Sequence, residues 1–127
     1  MLTDILLKII EETEKVLTLT DEIIIDNLPE DGGISFEADG GSVGFIDFGK
    51  TYNRNPEVMI KRKSKNQREC IDDIDNIINY LVGLRSYWCV DGIKISNIIR
   101  IGDTQKVSLK NDDYYIYVGV IQVMLYG

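Results

Sequence analysis

The order of hydrophobic periods along the chain predicts an α+β fold, in which an antiparallel or mixed sheet of about five or six strands carries two amphipathic helices packed against it. Three observations support this. Apolar residues recur at spacings of three and four in two stretches, 2–17 and 70–84. Short β-branched or aromatic runs fill the space between and after them. The closing stretch, 114–126, is apolar at almost every position. Neither a repeat nor a linker interrupts the chain, so residues 1–127 read as one domain.

In the first helix Leu2, Ile5, Leu6, Ile9, Ile10, Thr13, Val16 and Leu17 line one face, with Lys8, Glu11, Glu12, Glu14 and Lys15 opposite. Glu22–Asp26 then reads as a short strand, halted by Leu28-Pro29. Pro29–Gly33 is a loop by composition. Ile34–Ala38 and Val43–Phe48 are two apolar runs around Asp39-Gly40-Gly41-Ser42, which predicts a β-hairpin turning at the glycines. Pro56–Arg62 is a further strand.

Two capping boxes are possible for the second helix, Ser64 with Gln67 or Asn66 with Glu69. Its stripe is Cys70, Ile71, Ile74, Ile77, Ile78, Leu81 and Leu84, and its end falls at about 81–84. Beyond Trp88, the alternation of Ile93, Ile95, Ile99 and Ile101 places all four on one face of a strand. Gly102–Asp113 reads as a polar turn region. Because Tyr114–Tyr126 lacks a polar residue at every second position, it is expected to be either a central strand covered on both faces or a subunit contact.

Composition narrows the function classes. A net charge of −7 disfavours a sequence-independent grip on nucleic-acid phosphates or anionic lipid. The densest basic run, Lys61-Arg62-Lys63-Ser64-Lys65, reads as a solvated strand end. With no histidine and no C-x-x-C pair, zinc sites and histidine-dependent nucleophile systems are disfavoured, and no cofactor or metal is expected. Cys70 belongs to the helical stripe and is expected to be buried. Neither a secretory leader nor an apolar run long enough to span a membrane is apparent, so a reducing, cytosolic place of synthesis is expected.

Gly44–Thr51, GFIDFGKT, fits the phosphate-loop pattern letter for letter. A phosphate loop needs a flexible turn between a strand and a helix, whereas Phe45–Phe48 reads as strand and Pro56 opposes a following helix. Asp47 would also place a carboxylate among the phosphates, and the match is read as accidental. Asp47-Phe48-Gly49 has no accompanying kinase signature. Of Asp72, Asp73 and Asp75, only Asp72 and Asp75 share a helical face, and they read as its solvated side. Nothing selects a catalytic pair, so the chain is not expected to be an enzyme.

Leu28–Glu37, the stretch through Asp47-Phe48-Gly49, Val58–Lys61 with Lys65-Asn66-Gln67 opening a helix, and the aromatic closing strand together resemble the small minor capsid proteins of long-tailed bacteriophages. Among these they are most similar to tail-terminator (tail-to-head joining) proteins. The resemblance implies a non-enzymatic homo-oligomer, a hexameric ring in the tail or neck region of the virion, synthesised in the bacterial host cytoplasm. Its implied partners are the tail-tube protein and the head connector protein. DNA would pass through without specific binding, which an acidic chain suits, and no membrane is involved.

Candidate contact residues are Glu30 and Asp31, Asp39, Gly40, Gly41 and Ser42, Asp103, Thr104, Gln105 and Lys106 in the turn regions, and Tyr114, Tyr115 and Tyr117 in the last strand. The aromatic residues Phe36, Phe45, Phe48, Tyr114, Tyr115 and Tyr117 are expected to divide between core and subunit contact. Two alternatives remain: another head–tail connector or neck component, or a small ligand-binding or regulatory domain closing over an anion near Lys50, Arg54 and Lys61.

Overall fold

A computed structural model describes residues 2–19, 21–25, 28–29, 32–43, 53–109 and 114–126. The elements, in chain order, are α1 (Leu2–Val16), β1 (Ile23–Ile25), β2 (Gly33–Val43), β3 (Asn53–Ser64), α2 (Gln67–Val82), β4 (Cys89–Val90), β5 (Ile93–Leu109) and β6 (Tyr115–Tyr126). The strands form one six-stranded sheet in the order β1-β2-β3-β6-β5-β4. β1 runs parallel to β2 and every other pairing is antiparallel, so the sheet is mixed and the fold is α+β.

Both helices contribute to a single core. Ile5, Leu6, Ile9 and Ile10 of α1 join Cys70, Ile74, Ile77, Ile78 and Leu81 of α2 and, from the sheet, Ile34, Phe36, Val58, Ile60, Ile95, Ile98, Ile121, Val123 and Leu125. Thr13, also buried, donates its hydroxyl to the Ile9 carbonyl at 2.7 Å and so leaves no unpaired polar atom under the helix. Val16, expected in the stripe, is instead 59% exposed, while Leu17 packs on the core from just past the helix end. The chain leaves the helical path at Leu17, and the register that would bury Val16 ends with it.

α2 begins as one of the two expected boxes, modified. Asn66 is the N-cap, and its Oδ1 accepts from the Glu69 amide at 3.3 Å. The Glu69 side chain does not close the reciprocal bond: it accepts from the Ser64 hydroxyl at 3.1 Å and from Arg62 at 2.7 Å. Ser64 Oγ in turn accepts from the Asn66 amide at 3.1 Å. α2 lies directly on β6, where Gly119 makes the approach possible. A Cβ at that position would stand 2.6 Å from both Ile74 Cγ2 and Ile78 Cδ1.

Two expected turns are strand. Asp39–Ser42 continues β2, which pairs with β3 from Gly33↔Lys63 to Val43↔Arg54; one extra residue of β2 is taken up between Asp39 and Ser42 as a bulge. Of Gly102–Asp113, the part Gly102–Leu109 likewise continues β5 against β6, with register shifts that absorb its irregular stretch, and residues 110–113 lie outside the described residues. Among the described residues a tight reversal lies at Asp91-Gly92 between β4 and β5, where φ is +51° and +81°. Positive φ at both central residues matches the right-handed twist of a hairpin.

A bulge also corrects the expected face of β5. Ile95 pairs with Leu125 and Asn97 with Met124, so Ser96 is an extra residue and the alternation reverses after it. Ile93, Ile95 and Ile98 are therefore buried against the helices, while Ile99 and Ile101 face the other side, with Ile101 38% exposed.

Candidate functional site

The side of the sheet opposite the helices distinguishes this fold from a sealed two-layer domain. On β6, Gly119 under α2 fixes the parity: Tyr117, Ile121, Val123 and Leu125 point towards the helices, and Ile116, Val118, Val120, Gln122 and Met124 point away. The pairing Met59↔Val120↔Ile101 carries an apolar row across β3, β6 and β5. Val118, Met124 and Ile99 extend it, and none of these six side chains belongs to the core cluster. Both helices bury their residues in that cluster, so among the described residues no helix covers this face.

One end of the face is closed. Ile116 is buried there, Lys63 is only 6% exposed, and the Lys63 and Lys65 ammonium groups stand 4.9 and 5.3 Å from the centre of the Tyr114 ring. Lys61 pairs with Glu37 at 2.6 Å on the same face. The sheet edges are less suited to association. β4 covers only the start of β5, and β1 only Ile34–Phe36 of β2, yet the uncovered stretches of both β2 and β5 carry bulges, which interrupt the regular ladder a new strand would need.

The basic run is not the solvated strand end that its composition suggests. Arg62 points to the helix side at 1% exposure and is held by Asp21 at 2.8 Å, Glu69 at 2.7 Å and Asp73 at 2.9 Å; its Nη1 also donates to the Lys63 carbonyl at 3.1 Å. Burial works against the guanidinium charge, but the hydrogen bond and charge of Asp73, then the charge of Asp21, outweigh it and raise the Arg62 pKa. Asp73 is also raised, first by burial and then by the charges of Glu69 and Asp21, against the opposing pull of Arg62. An exposed, isolated pair would lower the acid; burial first, and then the two further carboxylates that share the one cation, reverse the sign. This cluster locks α2 onto β3.

Asp75, expected on the solvated side of α2, makes the matching lock to β5 by accepting from Thr104 Oγ1 at 2.7 Å and Arg100 Nη2 at 3.0 Å. Asp72 remains exposed beside Arg68. Cys70 is buried, as expected, and Cys89 is exposed; both are free thiols.

The sequence-derived contact residues do not converge on one point. Gln105 pairs with Val118 and so borders the open face. Asp103 is exposed, Thr104 is engaged with Asp75, and Lys106 Nζ lies 5.4 Å from the Tyr115 ring. Tyr114 packs with the lysines, Tyr115 packs against the core, and Tyr117 is buried, with its hydroxyl accepting from Gln67 Nε2. Phe36 is core. Asp39, Gly40, Gly41 and Ser42 lie on β2. Glu30, Asp31, Phe45, Phe48, Lys50 and the whole of Gly44–Thr51 lie outside the described residues. Met59, Ile99, Ile101, Val118, Val120 and Met124 of this face are absent from the sequence-derived contact residues; the two-sided apolarity of the last strand is the signal for Val118, Val120 and Met124, and only the strand pairing joins Met59, Ile99 and Ile101 to them.

No protein-family model matches this chain, and no curated protein matches it in sequence.

Proposed function

We infer that this chain is a structural subunit of a long-tailed phage particle, a tail-terminator-like protein that self-associates into a ring, caps the tail tube and meets the head connector. The observation supporting it is the largely apolar sheet face, uncovered by a helix among the described residues and centred on exposed Ile101 with half-buried Met59 and Val120. A helix-free sheet face of this kind marks an association surface in a soluble protein. Three strands about 4.8 Å apart, over roughly eight residues of 3.3 Å, present on the order of 400 Å² in projection. That is about half of one partner's share of a standard specific interface, roughly 800 Å² of accessible surface. Shape and self-association, in this reading, are the chain's contribution, and its acidic balance keeps passing DNA from adhering.

Size-exclusion chromatography with light scattering, together with electron microscopy of purified tail tubes, tests this for the wild type and for Val120→Lys. Wild-type protein forms a closed oligomer, alone or on tube ends, and the lysine variant folds by circular dichroism but fails to assemble. A wild type that stays monomeric and leaves tubes uncapped overturns the reading, as does a variant that assembles normally.

A further inference from the structure

The helix layer carries a second surface, on the opposite side of the molecule from the open sheet face. α1 is flanked by β1 and by β4, and an open groove runs along each flank. The first, about 500 Å³, is lined by Leu7, Ile10, Ile23, Glu11, Glu14, Glu22 and Lys15. The second, about 350 Å³, is lined by Asp4, Leu7, Lys8, Glu11, Cys89, Val90 and Asp91. Leu7 and Glu11 belong to both, so the grooves adjoin across the crest of α1, where Leu7 is 50% exposed.

The charge balance of this surface is one-sided. Its two lysines are already engaged, Lys8 with Glu12 at 3.2 Å and Lys15 with Glu11 and Glu12 at 3.3 and 3.1 Å. Glu22 and Asp91 are exposed and have no cation partner among the described residues. An apolar crest between acidic walls suits a ligand with cationic groups about an apolar side chain, and the same carboxylates repel phosphate. From Asp4 to Glu14 the helix rises roughly 15 Å, which an extended segment of about five residues spans.

We propose that this surface docks a basic, amphipathic segment of a partner protein, with an apolar side chain seated on Leu7 and lysine or arginine side chains meeting Glu22 and Asp91. The docking does not depend on ring assembly. Its failure would leave the open sheet face untouched, and the assembly-blocking Val120→Lys variant retains it.

Fluorescence anisotropy on the full chain tests the assignment, with a labelled peptide alternating lysine and leucine over five residues and a matched peptide carrying serine for leucine. At about 50 mM salt the leucine peptide binds, at least about fivefold more tightly than the serine peptide, and binding weakens as salt rises. Leu7→Ser, and separately Glu22→Gln with Asp91→Asn, weaken it by about fivefold or more, whereas Asp72→Asn with Asp103→Asn, exposed carboxylates elsewhere, changes it by less than about twofold. Should Leu7→Ser not fold, Glu22→Lys at an exposed position serves in its place and is expected to weaken binding likewise. No binding, equal binding of the two peptides, or equal loss in the Asp72/Asp103 variant, which would reduce the effect to net charge, overturns the proposal.

Discussion

Replacing Arg62 with methionine tests the physical account of how α2 is held on the sheet. The arginine side chain is 2% exposed and spans Asp21, Glu69 and Asp73, whose side chains are 46%, 32% and 17% exposed. Methionine fills much of the volume and supplies no charge, so Asp73 and Glu69 are left facing each other under α2. Removing one partner of a buried ion cluster costs about 3–5 kcal/mol. For a domain of this size, with a urea dependence near 2 kcal/mol per molar, the unfolding midpoint falls by roughly 1.5–2.5 M. Neutralising the stranded acids in the same background, as Arg62→Met with Glu69→Gln and Asp73→Asn, is expected to restore about half of the loss or more. The pH dependence has a definite sign. Without the cation, the folded state favours protonated carboxylates more than the unfolded state does, so it binds more protons and the deficit of Arg62→Met shrinks as pH falls from about 7 towards about 4. A midpoint lowered by less than the equivalent of about 1 kcal/mol, or a triple variant no more stable than the single, would refute the reasoning.

Three further outcomes are expected. Gly119→Ala puts a methyl 2.6 Å from two isoleucine atoms, where ordinary contact begins near 3.4 Å, and should cost about 1–3 kcal/mol, seen by calorimetry as a melting temperature lower by roughly 5–10 °C. Ile78→Val in that background removes the Cδ1 and recovers part of it; an unchanged melting temperature for Gly119→Ala would mean that α2 does not sit this close. Asn66→Ala removes the helix cap and is expected to cost about 1 kcal/mol, with faster amide exchange at Glu69 as the local signature. Burial pushes the Asp75 carboxyl up, but the Thr104 hydrogen bond and the Arg100 contact outweigh it and hold its pKa below the ordinary value. Its contribution is therefore present above the ordinary carboxylate range and lost as pH falls through the lowered pKa; because the side chain is 40% exposed, it stays under about 1 kcal/mol, and the gap in urea midpoint between wild type and Asp75→Asn should close on going from about pH 7 to about pH 3.

What the sequence discloses depends on the range of the interaction. α2 is legible because its stripe, Cys70 to Leu81, and its cap, Asn66, are local, and β6 is legible as apolar on both sides. The site is half legible: two-sided apolarity leaves open whether both faces are covered, and the answer depends on both helices packing on one layer. Glycine-rich Asp39–Ser42 looks like a reversal and is a bulge, while the reversal at Asp91-Gly92 is hidden because Cys89-Val90 is too short to read as a strand. Nothing in Ile95-Ser96-Asn97 announces the extra residue that divides the isoleucines of β5 between two faces. The fate of Arg62 was invisible for another reason, since Glu69 and Asp73 reach it only once α2 has folded back across β3.

Ser96 gives β5 a division of labour within one continuous ribbon. Upstream of it Ile93 and Ile95 anchor the molecule to itself; downstream, Ile98 still does so, while Ile99 and Ile101 are offered to the outside. Were the strand regular through Ser96, with no residue bulged out, Ile99 and Ile101 would turn inward and Ile98 and Arg100 outward, so that the outer hydrophobic face and the Arg100–Asp75 tether would be forfeited together.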